Sequence, residues 1–171
     1  MVQKTVLLSS FTTWKAHQFS NSSDDLLREV IQAPPAIAPR LHMIRHLPVN
    51  VPVALELLLN KIQQLRPDII LCCGMAESRT QLSLESRAIV ADQMLYTPVP
   101  IRSLLSDLNA TEISEDAGRF VCNGLYYAIL NHLQGSALAT QCLFVHVPPL
   151  TSQNRKNVVV DFCRILEKLA A

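Results

Sequence analysis

The run Ile69-Ile70-Leu71-Cys72-Cys73 holds five consecutive apolar residues between the turn Arg66-Pro67-Asp68 and Gly74. No polar residue interrupts it, so neither side of such a strand can face water. It belongs in the middle of a sheet that is covered on both faces. Two other segments repeat the pattern: Thr5 to Ser10, and Gln141 to Val147, which Pro148-Pro149 stops. Stretches with helical spacing lie between them. Asp24 to Gln32 is predicted as a helix with Ser22 or Ser23 as its N-cap. Val53 to Leu65 places Ala54, Leu57, Leu58, Lys61, Ile62 and Leu65 at helical spacing. Ala117 to Leu133 is the clearest helix, with Ser114 to Asp116 expected to supply its cap and N-terminal negative charge. Asn157 to Ala170 closes the chain with Val158, Phe162, Ile165, Leu166 and Leu169 on one face. The alternation predicts a single-domain α/β/α sandwich over residues 1–171, a mostly parallel twisted sheet with helices on both faces. In such sheets function gathers at the carboxyl ends of the strands, here the loops after Ser10, Cys73 and His146.

The rest of the chain punctuates this frame. Phe11 to Ser23 reads as a loop, and Pro34, Pro35 and Pro39 break the chain. Arg40 to Leu47 and Ser86 to Asp92 read as strands, while residues 94–112 fit neither period apart from helical spacing over Ile101 to Leu108. The N-terminal Met1 to Leu8 reads as a strand without the length or cleavage pattern of a signal peptide, so the cytoplasm is the expected location. The longest apolar runs are far short of a membrane span. A net charge of +1 without a basic cluster implies no nucleic-acid partner. Only 17% of residues are charged, which leaves surface that could be buried against another subunit and is consistent with a homo-oligomer.

Five cysteines, an odd number, argue against a disulfide framework, and no Cys-x-x-Cys spacing suggests a metal site. Cys72, Cys73 and Cys142 lie in apolar runs and read as buried thiols; Cys163 lies on the last amphipathic helix and reads as core. Cys122 differs. It lies near a helix start, where backbone N–H groups and the macrodipole favour thiolate, and its neighbours Arg119 and Asn123 are polar. Read alone it fits a buried helical cysteine better than a reactive one. His146 ends an apolar strand, where a general base could project into a cleft or a structural histidine could pack. Glu85 could orient an imidazole or simply pair with Arg79 or Arg87. Together the three residue types make a nucleophile, its base and an orienter for that base. His17, His42, His46 and His132 lack metal-ligand spacing and read as surface or structural residues.

The order Glu, Cys, His in these surroundings resembles the pyroglutamyl peptidase I (pyrrolidone carboxyl peptidase) family of cysteine peptidases. Val6 to Trp14 leading to Asn21-Ser22-Ser23 is similar to the family's opening strand and Gly-Phe-x-Pro-Phe-Gly loop. Leu47-Pro48-Val49, Pro67-Asp68-Ile69-Ile70 and Gly74-Met75-Ala76 follow its later elements. Arg79-Thr80-Gln81-Leu82-Ser83-Leu84-Glu85 resembles its glutamate motif, Ala117 to Asn123 its Ala-Gly-Thr-Tyr-x-Cys-Asn and Phe144 to Pro148 its Phe-x-His-x-Pro, with Cys122 and His146 24 residues apart. The resemblance implies removal of N-terminal pyroglutamate from peptides through an acyl-enzyme. Cys122 would be the nucleophile, His146 the base and later the acid, and Glu85 the orienter. Backbone N–H groups at the Cys122 helix start would hold the oxyanion. Phe11 and Trp14 would grip the lactam ring, with backbone groups near Met75 supplying hydrogen bonds. No cofactor or metal is implied. The partner would be an N-terminally pyroglutamylated peptide or a similar small amide.

The pattern also departs from the family. Ser9-Ser10 replaces a glycine before Phe11, Trp14-Lys15-Ala16-His17 replaces a glycine-bearing stretch, and Glu77-Ser78 replaces a small, glycine-rich pair. Fewer glycines restrict positive φ, so the first loop is expected to take another shape. The Asp-x-Arg-Ile-Pro-Asp-Asn-x-Gly segment between Glu85 and Cys122 is missing, and Ala91 to Pro98 offers no substitute arginine. The alternative is therefore a divergent relative with altered amide specificity or a non-catalytic ligand-binding role. A nucleoside-processing enzyme on a similar sandwich lacks a phosphate-binding glycine signature here.

Overall fold

A computed structural model describes residues 3–35 and 39–171; Met1 and Val2 of the expected first strand lie outside the described residues. The elements run β1 (Thr5–Phe11), α1 (Ser22–Gln32), β2 (Arg40–Leu47), α2 (Val51–Leu65), β3 (Ile69–Met75), β4 (Leu82–Glu85), β5 (Arg87–Val90), β6 (Gln93–Tyr96), α3 (Ile101–Leu104), β7 (Thr111–Ser114), α4 (Val121–Gln134), β8 (Gln141–Val147) and α5 (Arg155–Ala170). Six strands form one sheet in the order β2-β1-β3-β8-β4-β7. β2, β1, β3 and β8 are mutually parallel; β4 runs antiparallel to β8, and β7 runs parallel to β4.

The three apolar runs form the adjacent strands β1, β3 and β8 inside the sheet, as the apolar stretch in each requires. Strand periodicity divides their side chains between two cores. Val6, Leu8, Ile69, Leu71, Cys73, Leu143, Val145 and Val147 pack with α1, α3 and α5. Leu7, Ile70, Cys72, Cys142 and Phe144 face the opposite way and pack with α2 and α4. The expected sandwich with helices on both faces is what forms.

Several boundaries differ from the sequence expectation. Helix α1 begins at Ser22, and its cap is Asn21, whose Oδ1 accepts from the backbone of Ser23 at 3.0 Å. Helix α2 begins two residues earlier than its apolar spacing suggests, because Asn50 accepts from Val53 N–H and Pro52 suits the first turn. Ser114 to Asp116 do not cap α4. Asp116 Oδ1 accepts from Gly118 N–H at 2.9 Å, Ser114 accepts from Asp116 N–H at 3.2 Å, and Gly118 has φ +80. These short polar side chains satisfy their own turn, and the helix starts only at Val121. The strand expected over 86–92 is half of an antiparallel hairpin, β5 with β6, outside the main sheet. The helix expected over 101–108 stops at Leu104, and Asp107 turns left-handed with φ 65.

Candidate active site

Period-two alternation decides which side chains meet. On β8, His146 shares a face with Phe144; on β3, Gly74 shares a face with Cys72; on β4, Glu85 lies opposite Phe144 and Ser83 opposite His146. All point toward α4. Glu85 and His146 are thus diagonal neighbours across an antiparallel pair, within reach of long side chains. His146 Nδ1 lies 2.7 Å from Glu85 Oε1. Arg79 also approaches that oxygen, at 3.1 Å. Arginine can only donate, so Oε1 is an acceptor and Nδ1 donates to it; in the neutral ring this leaves the lone pair on Nε2. The Phe144 ring, with its centroid 5.0 Å from that of the imidazole, walls off one side of it. Glu85 is fully buried, and its other oxygen has no hydrogen-bond partner among the described residues.

Cys122 reaches the same place from above the sheet. It occupies the second position of α4, and Phe120 supplies no side-chain cap. The N–H groups of the first turn precede the first intrahelical bond, which Gly124 N–H makes to Phe120 O at 3.1 Å. The thiol rests on Gly74, where a Cβ would come within 2.6 Å of Cys122 Sγ and 2.8 Å of the Phe144 ring. Gly74 is the residue paired with His146 in the β3–β8 register. The absence of a side chain at one strand position therefore lets the Cys122 thiol sit beside the strand pair that carries His146.

The expectation of a thiol already biased to thiolate does not hold for the resting site. Burial, then the neighbouring Cys72 and Glu85, pushes the Cys122 thiol up to about 12. The helix start favours negative charge, but desolvation and a nearby carboxylate outweigh it. Raised in this way, the thiol gives up its proton less readily than an ordinary cysteine.

Cys122 and His146 line one cavity of about 540 Å³ with Phe11, Trp14, Met75 and Arg79. Phe11 is a buried floor residue at 2% exposure; Trp14, at 43%, lies at the rim. Met75 Sδ accepts from Ser22 N–H at 3.3 Å, and Ala76 N–H is already used by Val147 O at 3.0 Å, so fewer backbone groups near Met75 are free for a ligand than expected. Glu85 does not line the cavity; it stands behind His146. Among the described residues no cluster of His, Cys, Asp and Glu has the arrangement of a metal site.

Other residues matter more than the sequence reading gave them credit for. Arg79 donates to Asp116 O at 2.8 Å as well as pairing with Glu85. Arg87 instead reaches Glu115. Tyr126 donates to the backbone carbonyl of Glu85 at 2.9 Å. Asn123 brackets the Ile89 backbone, accepting from its N–H at 2.9 Å and donating to its carbonyl at 2.6 Å. Glu77, at the cavity edge, gathers Lys15, His17 and Gln18, and these hydrogen bonds, Lys15 first, hold its carboxyl down at about 2. Arg79 and Asn123 lie inside the motifs read from the sequence, and Arg79 is there a possible partner of Glu85, but their further contacts carry no sequence signal. Nothing in sequence spacing joins Glu77 to Lys15.

Comparison with known proteins agrees with this architecture. The family model described as Pyroglutamyl peptidase matches residues 90–162. A pyrrolidone-carboxylate peptidase of Brachyspira hyodysenteriae is 28% identical over 63% of this chain and 66% of its own length. In that match the chain spans slightly less than two thirds of the relative. One from Bacillus cereus is 28% identical over 90% of this chain and 82% of its own. Pyroglutamyl peptidase I of Bacillus amyloliquefaciens superposes with a TM-score of 0.83 at 20% identity, covering 98% of this chain and 97% of that one. The pyrrolidone carboxyl peptidase of Fervidobacterium islandicum gives 0.83 at 22% identity, with 98% of both chains covered. At such identities the superpositions speak for the fold. Sequence similarity and a shared fold from end to end point the same way: the chain is similar to the pyroglutamyl peptidases.

Proposed function

We propose that the protein is a cysteine peptidase that removes N-terminal pyroglutamate from peptides, with Cys122 as nucleophile, His146 as base and acid, and Glu85 as orienter. The observation that carries this reading is the convergence of Cys122 and His146 on one cavity, with Glu85 fixing His146 Nδ1 from behind. The Cys122 thiol attacks the carbonyl that joins the pyroglutamyl residue to the next residue. His146 Nε2 takes the thiol proton, so no free thiolate need exist at rest. The first-turn N–H groups of α4 receive the oxyanion. As the intermediate collapses, the C–N bond breaks and His146 gives its proton to the departing amine. Water then attacks the thioester, passing a proton through His146 to the leaving sulfur, and pyroglutamate is released. Phe11 and Trp14 offer apolar surface to a flat, uncharged lactam, with Met75 beside them.

No helix among the described residues is long and apolar enough to cross a membrane, and the cytoplasm is the proposed location. Assembly into a homo-oligomer would cover surface in a chain with so few charges. The competing reading is a non-catalytic or differently selective relative, and the raised Cys122 pKa is the observation that favours it. Release of a fluorescent amine from a pyroglutamyl amide by reduced protein, beside Cys122→Ala, separates the two. Turnover present in the parent and absent in the variant supports the peptidase. A folded, reduced parent without turnover sinks it.

A further inference from the structure

Two of the stretches where this chain departs from the pyroglutamyl peptidase pattern, Trp14-Lys15-Ala16-His17 and Glu77-Ser78, touch each other. The Glu77 carboxylate pairs with Lys15 Nζ, lies 2.8 Å from His17 Nε2 and accepts from Gln18 Nε2 at 3.1 Å. Gln18 completes the tie from within the loop. Its Oε1 accepts from the backbone N–H of Trp14 at 3.0 Å and of Lys15 at 3.2 Å. The Lys15 ammonium lies 5.6 Å from the Trp14 ring centroid, within cation–π range. Fixing Glu77 therefore fixes the backbone and the ring neighbour of Trp14 together.

The other end of the Glu77 turn is firmly held. Ala76 N–H donates to Val147 O at 3.0 Å, and Arg79 N–H closes the turn on Ala76 O at 3.1 Å. Val147 follows His146 on β8, so the anchor belongs to the rigid sheet. The first loop, by contrast, is exposed over much of its length. A loop of that kind orders at an entropic cost that local ties must offset. Trp14, Lys15 and Glu77 all line the cavity.

We propose that Glu77 is a positioning residue for substrate specificity: it clamps the first loop to the sheet so that Trp14 closes the outer end of the cavity over the pyroglutamyl ring. The proposal rests on the peptidase reading for its substrate, though not for the clamp itself. It explains why the glycine losses need not open the site. A network of side chains holds in place a loop that glycine-permitted turns no longer shape. It also assigns Glu77 an effect on binding distinct from that of Arg79, which leaves the same turn toward Glu85.

The chain has a single tryptophan, Trp14, so its fluorescence reports the loop directly. The test is acrylamide quenching of Trp14, alongside steady-state kinetics on a pyroglutamyl amide, for the parent and Glu77→Gln. Lys15→Gln breaks the clamp from the loop side, should the first variant be poorly folded. Increased quenching is expected, with KM rising about three- to tenfold and kcat moving less than about twofold, as suits a network of partly exposed ion pairs. Glu77→Asp, which keeps the charge, should recover part of the protection. Unchanged quenching overturns the clamp, as does a fall in kcat with KM unchanged. If the parent lacks turnover, the peptidase reading fails by itself, and quenching alone decides the clamp: increased supports it, unchanged overturns it.

Discussion

Gly74, on which the Cys122 thiol rests, sets the geometry of the site. Its missing side chain is the space that Cys122 Sγ and the Phe144 ring occupy. Gly74→Ala must push the thiol or the ring aside. We expect at least about tenfold loss of kcat and about 1–3 kcal/mol of stability, the usual range for overpacking. Urea unfolding and steady-state kinetics check both, and full activity in the variant would refute the contact. The thiol's elevated pKa has an equally direct consequence. A thiol held up at about 12 is protonated throughout the neutral range, and its thiolate fraction grows only as pH climbs toward that value. Iodoacetamide should therefore label Cys122 in the resting protein slowly at pH 7, with a rate that keeps rising above pH 8.5. An inflection below pH 8.5, where an ordinary thiol titrates, would contradict the burial argument. Cys122→Ala should abolish turnover and His146→Ala nearly so. Glu85→Gln should lower kcat less, because an amide oxygen can still accept from Nδ1 although the charge that pairs with Arg79 is gone.

At the scale of elements, the site depends on α4 being seated correctly on its neighbours. Asn123, the residue after Cys122, makes two hydrogen bonds to the backbone of Ile89, so one side chain stitches β5 to the start of α4. Asn123→Ala leaves a partly buried N–H and C=O without those partners, at a cost of about 1–3 kcal/mol. Hydrogen exchange of the Ile89 amide should accelerate; unchanged exchange would mean that the hairpin is held by packing alone. This stitch also shows where sequence reading stops. The long elements were legible because each repeats its period several times: β3 and β8 by unbroken apolarity, α2 and α5 by helical spacing. β4, β6 and β7 are four residues each and mix polar with apolar, too short for any period to register. The start of α4 was misplaced because Ser114 and Asp116 are good cap residues that spend their bonds on a local turn. Glu85, Cys122 and His146 were legible as motifs. Gly74 as the seat of the thiol, and Glu77 as a partner of Lys15, depend on strand register and loop contact, which no local spacing encodes.

For the whole molecule, the carboxyl-end side of the sheet must bury polar groups beside the site and still remain stable. Asp24, on α1, is buried and ties that helix to two strands at once. Ser10 of β1 donates to its Oδ1 at 2.8 Å, and Arg45 of β2 grips both oxygens at 2.8 Å. His46, left-handed at φ 59, stands 3.5 Å from Oδ2. Burial would raise the Asp24 pKa, but the hydrogen bonds from Arg45 and Ser10 and the nearby positive charge together lower it. A carboxyl whose folded pKa is depressed contributes stability that is present above its unfolded value, 3.8 here, and is lost as pH falls through the folded one. The parent should therefore shed part of its stability below about pH 4 by this route. Arg45→Met removes one partner and strands a buried charge, with an expected cost of about 3 kcal/mol at pH 7, the low end for such pairs because Arg45 is about a third exposed. Since the cluster joins β1, α1 and β2, the loss should appear as one lower urea midpoint for the entire domain, not as local fraying. Protonating Asp24 removes the stranded charge, so the gap between variant and parent should narrow at pH 3. Equal gaps at pH 7 and pH 3 would show that Arg45 stabilises the fold through its alkyl packing instead of its charge.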